Sequence, residues 1–167
     1  KAGESRQAVF TYTVQNPKLW SLRDSGITGS YLTVNGVKSS FEYGIRSISF
    51  DAEKGFLLNG EAMKINGACM HHDNGILGAM AFDAAEERKV QLMKDAGFNL
   101  IRTSHNPPSE AFLRACDQLG MLVIDESFDG WRQSKTPHDY STLIDSCYEE
   151  DIRAMVMRDR NHPCVIA

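Results

Sequence analysis

The chain has 167 residues, 42% of them apolar and 24% charged, the composition of an ordinary globular protein long enough to bury a core. A formal net charge of −4 offers no basic footprint for nucleic acid or an anionic membrane surface. No run approaches the roughly 18 to 20 apolar residues that cross a bilayer. Up to about residue 50 the sequence reads as short β segments, 9–14, 30–34 and 41–50, divided by turn chemistry at Asn16-Pro17 and Asn35-Gly36. Three or four such strands are too few for the usual seven or so of a sandwich, so they are predicted to be the end of one.

After Gly55 the period changes. Residues 63–70 form a mainly apolar strand candidate, 83–96 a helix, 99–103 a strand, 109–119 a helix, 121–125 a buried strand and 143–160 a helix; 164–167 begins another strand. Asp83, with Glu86 three residues on, is placed as an N-cap in a capping-box arrangement, and Gly97 and Gly120 stand where helices must stop. Asn106-Pro107-Pro108 is read as a rigid turn into a helix capped by Ser109. Alternation of strand and helix means parallel β/α units. Three units and the start of a fourth strand fit half of an eight-fold β/α barrel or an open doubly wound sheet. The first βα turn has neither GxGxxG nor GxxxxGK[ST], which favours the barrel. Cys69, Cys116, Cys147 and Cys164 show no CxxC spacing and sit among apolar neighbours, so all four are expected to be buried free thiols.

In β/α folds the site lies on the loops that follow the strands. Here the predicted strands run into His71-His72-Asp73, into Arg102-Thr-Ser-His105-Asn106, and into Asp125-Glu126-Ser-Phe-Asp129-Gly-Trp131. His71 and His72 read as hydrogen-bond donors to a polar substrate, as structural histidines or as metal ligands. Neighbours on a strand face opposite ways, and the spacing is neither HxH nor HExxH, which disfavours metal. Arg102 puts a permanent charge near the site mouth, suited either to holding a catalytic carboxylate ionised or to an ion pair with Asp125 or Glu126. Asp125 and Glu126 diverge for the same reason as the histidines and cannot form the facing pair, about 5 Å apart, of a retaining glycosidase. Trp131 is either a stacking platform for a sugar ring or a lid over a core.

Four stretches join these pieces. Phe41-Glu-Tyr-Gly-Ile-Arg with Lys64-Ile-Asn-Gly-Ala-Cys-Met-His-His-Asp, then Ala96-Gly-Phe-Asn-Leu-Ile-Arg-Thr-Ser-His-Asn-Pro, then Arg158-Asp-Arg-Asn-His-Pro-Cys-Val-Ile-Ala, resemble, in order over roughly 41–167, family 2 glycoside hydrolases, the β-galactosidase/β-glucuronidase family. The resemblance implies that residues 1–50 end an immunoglobulin-like β-sandwich and that 51–167 form the N-terminal half of a TIM barrel. It implies a retaining, exo-acting β-glycosidase, most simply a β-galactosidase, with a carbohydrate substrate and no organic cofactor. In the family a Trp and then Asn-Glu, the acid/base, follow the last stretch, and the nucleophile Glu lies farther on. Both fall beyond Ala167, and the fragment alone is expected to be inactive. The substrate-binding residues on this reading are His71, His72, Arg102, His105, Glu126 and Trp131. His71 and His105 match histidines that bond the sugar or transition state, and Arg102 matches an arginine beside the nucleophile. Some members hold magnesium with a Glu-x-His where this chain has Asp129-Gly130-Trp131, so no metal is predicted.

Half a barrel would expose strand edges and an apolar face, so self-association or a homo-oligomer is expected. Nucleic acid and a membrane span are not expected as partners. The opening Lys1-Ala-Gly-Glu-Ser-Arg lacks the apolar centre of a signal peptide, and a cytoplasmic and a periplasmic or secreted location both remain compatible with the sequence. The rival readings are a non-catalytic carbohydrate-binding module using His71, His105 and Trp131, and a metal-dependent hydrolase using His71, His72 and Asp73.

Overall fold

A computed structural model describes residues 3, 4 and 7–167. Strands β1 (Thr28–Val34) and β2 (Val37–Tyr43) form an antiparallel hairpin. Val34 pairs with Val37, which leaves Asn35-Gly36 as a two-residue loop at φ 50° and 82°. Both values lie in the left-handed region that Asn and Gly tolerate, so the dipeptide fixes the register. The expected strand at 9–14 does not form. Its apolar residues Val9, Phe10 and Tyr12 are exposed, and among the described residues no strand pairs with it.

The run 41–50, expected as one strand, divides in two. It ends as β2 and resumes as β3 (Ile48–Asp51), which leads an antiparallel meander with β4 (Gly55–Leu58) and β5 (Glu61–Ala62). The break has a packing cause. A Cβ on Gly44 would lie 2.6 Å from Pro163 Cγ, and Arg46 donates from Nε to the Pro163 carbonyl at 2.6 Å and from Nη2 to the Val165 carbonyl at 2.5 Å. The chain leaves the ladder here to fasten itself to residues more than a hundred positions away.

The second half has the parallel β/α arrangement that the alternating periods imply. Strands β6 (Gly67–His71), β7 (Leu100–Ser104) and β8 (Leu122–Ile124) lie side by side in parallel, connected through helices α1 (Asp83–Asp95) and α2 (Glu110–Leu119). Helix α3 (Ile144–Asp159) follows. Residues 164–167 then run parallel to β8, with bonds from Val123 N to Cys164 O at 2.8 Å, from Ile166 N to Val123 O at 2.9 Å and from Asp125 N to Ala167 O at 2.8 Å. This is part of a barrel wall, and among the described residues the barrel is not closed.

Two local expectations change. β6 starts at Gly67 rather than 63, because side chains replace the ladder before it: Asn66 N donates to Asn99 Oδ1 at 2.7 Å, and Asn99 Nδ2 to the Lys64 carbonyl at 2.9 Å. The N-cap of α1 is Phe82, with no side-chain cap bond, rather than Asp83. Asp83 lies in the first turn, where its carboxylate suits the helix dipole and meets Arg114 at 3.0 Å. Glu86 is therefore no capping-box partner; it is 2% exposed. Ser109 does cap α2, accepting from Phe112 N at 3.1 Å, and Gly120 ends it at φ 67°. Cys116 and Cys164 are buried as expected, but Cys69 is exposed and Cys147 half-buried; all four thiols are free.

The core joins both halves. Ile101, Val123, Leu113, Cys116 and Val90 are buried between sheet and helices, and Trp20 joins them from the N-terminal segment with no exposed surface. Its indole donates to the Asp117 carbonyl at 2.8 Å, and its own carbonyl accepts from Asn59 Nδ2 at 2.9 Å. Lys94 reinforces the same end, donating to the carbonyls of Leu22 and Gly120, both at 2.7 Å. Trp20→Ala is expected to destabilise the chain by about 3–5 kcal/mol, the cost of an aromatic cavity. Urea unfolding at fixed pH measures this, and Trp20→Phe should recover more than half of the loss.

Candidate functional site

In β7, Leu100, Ile101, Thr103 and Ser104 are buried and Arg102 is part-exposed; strand alternation puts Arg102 on the face opposite Ile101 and Thr103. In the parallel register Cys69 pairs with Arg102, Arg102 with Ile124, and His71 with Ser104. One step past Ile124, Asp125 and Glu126 must point apart. Glu126 comes to the Arg102 face, and Asp125 goes to the helix side.

On that face four of the predicted residues converge. Arg102 Nη2 donates to Glu126 Oε1 at 2.9 Å and stands equally close to Oε2, though off the direction of its N–H bonds. His105 Nδ1 lies 3.0 Å from the same Oε1 and 3.4 Å from Arg102 Nη2. The His71 ring meets that of His105 edge-on, with centroids 5.3 Å apart at 82°. Thr103 Oγ1 accepts from Glu126 N at 3.1 Å, tying the carboxylate's backbone to the central strand. His72, although adjacent to His71, makes none of these contacts and is exposed. Trp131 also stands apart, packing edge-on against Phe128 at 5.2 Å, which in turn stacks on Tyr140 at 5.1 Å. A cavity of about 630 Å³ lined by Asn106, Pro107, Ser127, Phe128, Tyr140 and Arg158, among others, begins one residue beyond His105 and one beyond Glu126.

Sequence reasoning missed Cys69. It was expected to be buried, yet its sulfur accepts from Arg102 Nη1 at 3.3 Å. Contact with Ser104, and then the guanidinium, holds its thiol below the ordinary range, while the same sulfur contact leads the causes that raise Arg102. The period-two spacing of Cys69 and His71 carried that signal, since both must share one face.

On the helix side Asp125 meets Asp159, which is 2% exposed and clasped by its neighbour Arg158 through Nε at 2.5 Å and Nη2 at 2.7 Å. Burial first, and the Asp159 carboxylate second, push Asp125 up to about 7. The folded chain therefore keeps a proton that the unfolded chain releases near 3.8. The stability due to this group is complete below that value and fades as pH rises through about 7. Asp125→Asn should flatten this part of the profile, read as a smaller drop in urea midpoint between pH 5 and pH 8 than in the unmodified chain.

Among the described residues, the group whose ligand atoms approach one another closely enough to hold a metal is Asp117, His162 and Cys164, all within 4.8 Å. Its atoms are already engaged. Asp117 Oδ2 meets His162 Nδ1 at 2.6 Å, Oδ1 accepts from Cys164 N at 3.0 Å, and burial raises the Cys164 thiol well above its usual range. That is the chemistry of a buried hydrogen-bonded strut rather than of an open coordination site. His71, His72 and Asp73 form no such group.

The fold and site together define a β/α-barrel segment with a charged, histidine-rich face at the carboxyl ends of neighbouring parallel strands. The model of the family described as "Glycosyl hydrolases family 2, TIM barrel domain" matches residues 51–167, and the chain belongs to that family. It is 44% identical over 175 residues to Beta-galactosidase BoGH2A of Bacteroides ovatus, covering 99% of this chain and 20% of that protein. It is 35% identical to a putative beta-glucuronidase of Formosa agariphila, covering 96% of this chain and 16% of that protein. A glycosyl hydrolase family 2 member from Bacteroides cellulosilyticus superposes with a TM-score of 0.87 at 52% identity, over 92% of this chain and 20% of that one. The Parabacteroides merdae beta-glucuronidase does so with a TM-score of 0.78 at 26% identity, over 92% and 19%. The chain thus spans about a fifth of the length of these relatives. No helix among the described residues is long and apolar enough to cross a membrane.

Proposed function

We propose that the chain is the sugar-facing front half of the barrel of a retaining, exo-acting β-glycosidase, with a terminal β-galactoside as substrate. The observation that carries this reading is the convergence of His71, Arg102, His105 and Glu126 at the carboxyl ends of three adjacent parallel strands. Glycoside cleavage with retention needs one carboxylic acid to protonate the leaving oxygen and one carboxylate to form the glycosyl-enzyme. Glu126 is poorly suited to either task, because Arg102 and His105 already hold it. We infer that these three residues, with His71, bind and orient sugar hydroxyls, and that the catalytic glutamates are supplied by chain beyond Ala167. The β-galactosidase reading draws support from the 44% identity to the Bacteroides ovatus relative; a β-glucuronide is the other substrate that the relatives' names bring into range. The family match starting at residue 51 supports a division between a sandwich-like unit, 1–50, and barrel, 51–167.

The parent gene, its full-length product and the isolated chain each test this. The gene of the parent protein should encode a Trp and then Asn-Glu shortly after Ala167, and the full-length product should cleave nitrophenyl β-galactoside in preference to the glucuronide. In it, His105→Ala is expected to lower kcat by about 10²-fold or more, the effect of removing one transition-state hydrogen-bond donor. The purified 167-residue chain should release no nitrophenol. Turnover by that polypeptide, lost in His105→Ala, would overturn the assignment of the catalytic glutamates to later sequence.

The chain also exposes Val9, Phe10, Tyr31, Val37 and Phe41 around the β1–β2 hairpin, and we propose that as an isolated polypeptide it self-associates. Light scattering should give a mass above 18.6 kDa that rises with concentration; a constant monomer mass refutes it.

A further inference from the structure

Glu86 is a carboxylate in an unusual place. It sits in the first turn of α1, 2% exposed, beside the loop that leaves β6 immediately after His71. Its Oε1 accepts from Asn74 Nδ2 at 3.1 Å and lies 3.2 Å from Lys89 Nζ, itself only 16% exposed. A buried charge is tolerated when it is paired and hydrogen-bonded, and Lys89 and Asn74 supply both conditions.

Asn74 is the residue on which the loop depends. Its amide nitrogen also donates to the Met80 carbonyl at 3.1 Å, and its backbone N–H donates to the Gly78 carbonyl at 2.8 Å. On the other side, Asp73 N donates back to the His71 carbonyl at 2.8 Å, and Asp73 Oδ1 accepts from Gly75 N at 2.7 Å. The turn that begins at His71 is thus closed on itself and then fastened to the helix through one side chain. Glu86 and Lys89 also line one small pocket with His71, His72, Thr103 and Ser104, so the pair stands beside the strand ends that present His71 and His105.

We propose that Glu86 is a positioning residue for His71: through Asn74 it fixes the loop after β6 and so sets the edge-on placement of the His71 ring against His105. The functional importance of that placement rests on the sugar-binding reading above, but the placement itself can be measured without any sugar. A carboxylate serves here because one of its oxygens, Oε1, accepts from Asn74 while its charge is balanced by Lys89.

The test is long-range nitrogen–proton NMR of the histidine rings in the 167-residue chain, with thermal melts alongside. Glu86→Ala and Asn74→Ala should each displace the His71 signals, and the double variant should displace them no further than Glu86→Ala alone. Glu86→Gln, which keeps a carbonyl oxygen for Asn74, should restore them toward their original positions. His162, held by Asp117 on a different element, should not move in any variant. A lowered melting temperature with the His71 and His105 signals unmoved would reduce Glu86 to a structural ion pair and overturn the proposal. So would signals that move alike in Glu86→Gln and Glu86→Ala. If Glu86→Ala fails to fold, Asn74→Ala and Glu86→Gln decide the matter, because Asn74 is only partly buried and its removal leaves the Glu86–Lys89 pair intact.

Discussion

Strand β7 has to carry a guanidinium in the wall of a sheet, and Glu126 makes that possible. The flanking Ile101 and Thr103 are buried, which fixes the backbone and with it the direction in which the part-exposed Arg102 leaves the strand. Glu126 meets the guanidinium from the neighbouring strand, and in doing so the carboxylate also engages His105, so one ion pair gathers side chains from two strand ends. An exposed pair of this kind would contribute little to stability; its consequence here is geometric, because it fixes two side chains at once.

The same strand alternation explains why the two acidic residues after β8 have different lives. Asp125 and Glu126 are adjacent in sequence and separated by the sheet. One lies beside Arg102 and His105, and the other is half-buried against Asp159 and pushed toward neutrality. Parallel register converts a dipeptide into two separate electrostatic environments, which is how β/α folds build a polar site over an apolar core.

Much of this was readable in the sequence. Helices α1, α2 and α3 and the parallel strands followed from periodicity, the Asn35-Gly36 hairpin from its turn residues, and the divergence of Asp125 and Glu126 from strand geometry. The failures cluster where long-range packing decides the local structure. The segment 9–14 alternates like a strand but finds no edge to pair with, and the run 41–50 breaks because Gly44 must admit Pro163. At the site, His71, Arg102, His105 and Glu126 come together, whereas His72 makes none of these contacts and Trp131 packs on Phe128. Cys69 was misjudged because apolar neighbours in sequence say nothing about which face of a strand a residue occupies. Glu86 was misjudged because a capping pattern three residues long cannot reveal that the helix begins one residue earlier.

The clasp between Arg46 and the carbonyls of Pro163 and Val165 bears on how the chain acquires its structure over time. Those partners are 117 and 119 residues from Arg46, so the contact closes a loop of well over a hundred residues. During synthesis at about 5–20 residues per second, Arg46 and the space beside Gly44 would wait on the order of ten seconds for their partners to emerge. Contacts of such long separation also slow folding, because loop-closure entropy must be overcome before they form. Until then the N-terminal hairpin and meander have only local structure to rely on, and the seam between the two halves of the chain is among the last parts to set.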